Sequence, residues 1–80
     1  MILDITRGHI KVKIGGKTVT LQGEMFFPGN DKMGFVLYRN SIKNWDEPNQ
    51  DLPITPDEVD AIMDDIRNDF AKGGHTFAVE

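Results

Sequence analysis

Eighty residues, 39% apolar and 28% charged, suffice for one globular domain spanning residues 1–80. A chain of this length buries only about 60% of its unfolded surface, so its single core is modest. The absence of cysteine excludes disulfides and thiolate metal sites, and no apolar run reaches the ~18 residues of a membrane span. The net charge of −4 is unevenly divided. Residues 1–43 carry seven Lys/Arg against three Asp/Glu, and residues 44–80 carry two against ten. An acidic half favours a basic partner and resists nucleic acid.

Met1-Ile2-Leu3-Asp4 has neither a basic region nor a long apolar run, so no signal peptide is read and a cytoplasmic location is expected. Ile2, Leu3 and Ile5 start a first strand or form a short one. Gly15-Gly16 is the strongest turn signal, because both positions tolerate positive φ and so favour a tight hairpin. That turn pairs Val12 with Val19 and Ile10 with Leu21 on one sheet face. The other face takes Lys13 with Thr18, Lys11 with Thr20, and His9 with Gln22. Only Lys17, opposite Ile14, breaks the sorting of apolar from polar, and a one-residue slip would mix the faces throughout. Gly8 falls opposite Gly23, which predicts a bend or bulge there.

Pro28-Gly29-Asn30-Asp31 reads as a turn, and Gly34 to Arg39 as a third strand. Phe35, Val36, Leu37 and Tyr38 make that strand apolar on both faces, as expected of a central or doubly covered strand. After a proline-rich connector, Thr55 is an N-cap, Pro56 suits the first helical position, and Glu58 completes a capping box. Val59, Ile62, Met63, Ile66 and Phe70 follow in one apolar stripe, and Gly73-Gly74 stops the helix. His75 to Glu80 reads as a last strand. The expected fold is α+β: an antiparallel β-meander, one long helix in the C-terminal half packed on its apolar face, and a final returning strand.

Little in the chain resembles an active site. His9 and His75, with Lys11 or Lys13, have the residue types of an acid–base ribonuclease, but they fall on different strands at positions where any polar residue would serve. Asn44, Asp46 and Asn49 match only part of a calcium loop, without its central glycine or terminal glutamate. Neither enzymatic activity nor a metal or other cofactor is therefore expected. Arg7, Lys11, Lys13, Lys32 and Arg39 could follow a nucleic-acid backbone, which makes a small single-stranded nucleic-acid-binding module the alternative function. Such modules also need aromatic platforms, and only Phe35 and Tyr38 fall near a basic residue, Arg39.

Acidic residues give the stronger pattern. Asp57, Asp60 and Asp64 share one side of the helix, and Glu58, Asp65 and Asp69 share another. Near the N-terminus such acids complement the helix dipole; Asp64, Asp65 and Asp69 lie too far along for that. Asp60 with Asp64, and Asp65 with Asp69, are like charges four apart, each costing a few tenths of a kcal/mol. The connector adds Asp46, Glu47 and Asp51 around Trp45, the only tryptophan. Trp45 either pins the connector to the core or anchors a partner, and the three neighbouring acids are expected to face outward.

"YRNSIKNWDEP" followed by "LPITPDEVDAIMDDI" resembles the small immunity proteins of contact-dependent growth inhibition and related polymorphic-toxin systems. The match is strongest with those paired with EndoU-type ribonuclease toxins. It rests on Tyr38, then Ser41-Ile42-Lys43, the Trp-acid-Pro element at Trp45, Asp46, Glu47 and Pro48, and the Ile54-Thr55-Pro56 helix start. It covers roughly residues 33–70 well and the hairpin in outline. The resemblance implies a Whirly-like fold and a cytoplasmic inhibitor whose partner is a basic toxin domain, with no role at a membrane. Trp45, Asp46, Glu47, Asp51, Asp57, Asp60 and Asp64 are the expected toxin-binding residues; nucleic acid is not the expected partner.

Overall fold

A computed structural model describes residues 1–29 and 32–80. Asn30 and Asp31, half of the turn expected at residues 28–31, lie outside the described residues. The strands are β1 (Ile2–Ile5), β2 (His9–Ile14), β3 (Lys17–Gly29), β4 (Lys32–Leu37) and β5 (Thr76–Val79), and α1 (Pro56–Gly73) lies between β4 and β5. They form one five-stranded sheet in the order β1-β2-β3-β4-β5. The first three pairings are antiparallel, and β5 runs parallel to β4. The parallel pairing follows from the intervening helix, a crossover that brings the chain back in its original direction. The protein is thus α+β, with a mostly antiparallel sheet and one helix in the C-terminal half.

Gly15 and Gly16 both take positive φ, and the pairing between β2 and β3 runs in the expected register from Ile14 opposite Lys17 to His9 opposite Gln22. Ile10, Val12, Val19 and Leu21 are buried on one face, where they meet Ile62, Met63, Ile66 and Phe70 of α1 in a common core. At 13 residues β3 is the spine: Lys17–Gln22 pair with β2, and Gly23–Gly29 pair with β4. Gly23 is the changeover. Its N–H donates to the Gly8 carbonyl at 3.0 Å while it sits opposite Leu37. A Cβ at Gly23 would collide with the Val36 carbonyl and the Phe35 ring, so the crossing of the two half-sheets requires glycine. β4 is interior, with Phe35 and Leu37 fully buried.

Helix α1 begins as its sequence dictates. The Thr55 hydroxyl accepts the Glu58 N–H at 3.2 Å and the Glu58 carboxylate accepts the Thr55 N–H at 3.0 Å. It ends at Gly74, in the left-handed conformation with φ 70°, whose N–H closes on the last turn.

Since β4 leaves β3 at Gly23, the first half of β3 has a free edge opposite β2, and the connector closes it. The Tyr38 N–H donates to the Gln22 carbonyl at 2.9 Å, and the Gln22 N–H to the Ser41 hydroxyl at 3.0 Å. The Asp46 N–H donates to the Thr18 carbonyl at 2.8 Å. An unpaired strand edge invites association with other chains, and this one is covered.

Candidate functional site

The connector is held down by Trp45, which is 2% exposed and belongs to the core. Lys17 places its ammonium 4.6 Å from the centre of the Trp45 ring, and the same nitrogen donates to the Glu58 carboxylate at 2.7 Å. The one residue that broke the hairpin's polar pattern therefore joins the start of β3, the connector and the first turn of α1. The Lys17 ammonium, followed by the Thr55 N–H, holds the Glu58 carboxyl well below the usual carboxylate range, at about 2.

This arrangement divides the predicted partner-binding residues. Trp45 is sequestered and presents no anchor at the surface. Asp46 corrects the expectation of an outward-facing acid: it is half-buried, and its carboxylate accepts the Thr20 hydroxyl at 2.7 Å. Pairing of the connector with the edge of β3 turns that side chain back onto the sheet. Glu47 and Asp51 are exposed on the connector. Asp57, Asp60 and Asp64 are exposed along one face of α1, and among the described residues no ion pair engages them. The neighbouring helical row is different. Glu58 is committed to Lys17 and the cap, and Asp65 to the amino group of Met1, while Asp69, a turn further on, is exposed and in no ion pair among the described residues. The geometry thus separates structural acids from three aligned, unengaged ones. Residues Asp57 to Asp64 span about 10 Å of helix at 1.5 Å per residue, a length suited to several cationic side chains.

Beside Asp60 lies an open groove of about 300 Å³, lined by Arg39, Ile42, Ile54, Pro56, Val59 and Asp60. Sequence reasoning missed it because its lining comes from two separate stretches, residues 39–42 and 54–60. Part of the signal was present: Ile54 precedes the N-cap and Val59 is the fourth helical residue, the spacing of a hydrophobic staple. Ile42 reaches the same place from the turn after β4, a 3₁₀ turn over Arg39–Ser41.

The basic face is less continuous than its sequence implied. Of its five expected members, Lys32 is used within the fold, donating to the Gly73 carbonyl at the helix end at 3.3 Å. Of the two aromatics near Arg39, Phe35 is fully buried, and only Tyr38 keeps an exposed ring. The Tyr38 hydroxyl donates to Glu24 at 3.1 Å, which raises its pKa above the ordinary phenol value. His9 and His75 do not meet. They sit at β2 and beside β5, with two strands between them and at different levels along the sheet. His9 Nδ1 instead lies 3.0 Å from the Thr6 hydroxyl, which also accepts the Gly8 and His9 N–H groups and so braces the turn between β1 and β2. His75 Nδ1 accepts the Met33 N–H at 2.9 Å, tying the chain after α1 to β4.

No helix is long and apolar enough to cross a membrane among the described residues. A comparison with curated proteins and one with solved structures each found no significant match. A family model described as Immunity protein 74 matches residues 2–80.

Proposed function

The chain belongs to the immunity protein 74 family, and on that premise we propose that it neutralises its cognate toxin by covering the cationic active site of a nuclease domain. The observation that carries this reading is the exposed row of Asp57, Asp60 and Asp64 along one helix face, which no ion pair engages among the described residues, while Glu58 and Asp65 are tied up within the fold. A ribonuclease must be cationic where it holds RNA phosphates. Carboxylates presented there compete with substrate and draw the two proteins together through long-range attraction. The protein works as a binder in the cytoplasm, folding as one domain and doing no chemistry of its own. Glu47 and Asp51 extend the negative potential from the connector. The resemblance of the Trp45-Asp46-Glu47-Pro48 element and the Ile54-Thr55-Pro56 helix start to immunity proteins of EndoU-type ribonucleases supports an RNA-cleaving partner of that kind, from a contact-dependent inhibition system.

The test is inhibition kinetics on the toxin domain whose growth inhibition this protein relieves. Occlusion predicts that rising RNA concentration overcomes inhibition and that the protein and RNA do not bind the domain together. Inhibition unaffected by RNA concentration, with both bound at once, would contradict it.

A further inference from the structure

The groove at the start of α1 adjoins the acidic row that the proposed function uses, sharing Asp60 with it, and its chemistry specifies an occupant. Ile42, Ile54 and Val59 form an apolar lining whose inner surface rests on the core. About 300 Å³ is at the lower end of the range for small-ligand sites and suits one or two side chains. Its rim carries opposite charges, Arg39 and Asp60, and no ion pair joins them among the described residues. The acidic row continues from Asp60 to Asp64 along the helix, so a partner lying on that row passes directly over the groove.

We propose that this groove receives an aromatic side chain of the toxin domain, with a lysine or arginine of the same toxin segment paired to Asp60. This rests on the toxin-binding reading of the acidic row. An aromatic occupant fits better than an aliphatic one because the Arg39 guanidinium on the rim can lie against its ring, an attraction that strengthens as water is excluded. A cation beside it is required by Asp60, whose burial under a partner would otherwise leave a carboxylate unpaired. Binding energy concentrates where a large side chain fills a pocket surrounded by a polar rim. Steering by the acids and anchoring in the groove are then distinct contributions: the first sets how fast the complex forms, the second how long it lasts.

Pro56→Trp tests this. Pro56 is exposed at the groove and stands at the first helical position, which accepts other residues, so the substitution fills the groove at small cost to the fold. With the toxin domain as probe, the expected result is an affinity loss of about 30-fold, carried mainly by faster dissociation. Unchanged affinity with an unchanged urea midpoint would overturn the groove assignment. Methyl NMR of the wild-type protein tests the same point without a substitution: Ile42, Ile54 and Val59 should shift on adding the toxin domain, and unmoved methyls in a saturated complex would also overturn it. Charge reversal at Asp60 and Asp64 separates the two levels. If it weakens binding while Pro56→Trp and the methyls do not respond, the groove assignment fails and the acidic-face reading stands. If wild-type protein does not bind the toxin domain, both fail.

Discussion

Removing the Trp45 ring tests how the connector is attached. The ring is 2% exposed, it lies under the Lys17 ammonium at 4.6 Å, and it secures the segment that closes the free edge of β3. Trp45→Ala should cost about 3–5 kcal/mol, the usual range for deleting a buried aromatic side chain. At 0.05–0.15 kcal/mol per residue, an 80-residue protein has roughly 4–12 kcal/mol in total, so the loss is a large share of the whole. At about 4–8 °C per kcal/mol for a domain of this size, the midpoint of thermal unfolding should fall by at least about 12 °C. Urea and thermal unfolding followed by far-ultraviolet circular dichroism measure the effect without relying on the deleted fluorophore. Trp45→Phe keeps an aromatic face under Lys17 and should recover most of the loss. Wild-type fluorescence should be blue-shifted and resistant to acrylamide quenching. An unchanged urea midpoint in Trp45→Ala would mean that the ring does not hold the connector, and would return it to the candidate interface.

Two further predictions follow from particular contacts. Because the Glu58 carboxyl is lowered from 4.5 to about 2, its contribution is fully present above about pH 4.5 and is lost as the pH falls towards 2. The urea midpoint of wild type should therefore drop across that window, and Glu58→Gln should flatten that part of the profile; an equally steep drop in the variant would refute the assignment. Gly23→Ala sets a Cβ against the Val36 carbonyl and the Phe35 ring, and should destabilise by about 1–3 kcal/mol or more in urea unfolding. Gly8→Ala, with open space around its Cβ position, should cost clearly less, and equal losses would contradict the close crossing at Gly23.

Local chemistry explains what was legible in the sequence. The Gly15-Gly16 turn fixes a register, so every pair from Ile14–Lys17 to His9–Gln22 could be named in advance. Thr55, Pro56 and Glu58 mark the helix start because a capping box is complete within four residues. Lys17 could be recognised only as a misfit, since its reasons lie at Trp45 and at Glu58, 41 positions away. Asp46 was misjudged for a similar reason. Its partner Thr20 becomes a neighbour only once the connector runs along β3, and that depends on β4 leaving the strand at Gly23. Among the candidate residues, sequence alone could align Asp57, Asp60 and Asp64 on one helix face. That Glu58 and Asp65 are engaged elsewhere, while those three are not, required the tertiary structure.

The central claim, that the acidic helix face holds the toxin, is tested most directly by toxin-domain affinity at two salt concentrations for Asp60→Lys with Asp64→Lys and for Lys11→Glu with Lys13→Glu. Both helix residues are exposed, so their reversal should leave the unfolding free energy from urea titration within about 0.5 kcal/mol of wild type. Against a cationic site the new lysines should cost several kcal/mol, a loss of at least about 100-fold in affinity and most of the salt-sensitive association rate, while the Lys11 and Lys13 reversal on the opposite sheet face should bind like wild type. Wild-type affinity in the helix variant, or loss of binding confined to the Lys11 and Lys13 variant, would contradict the account.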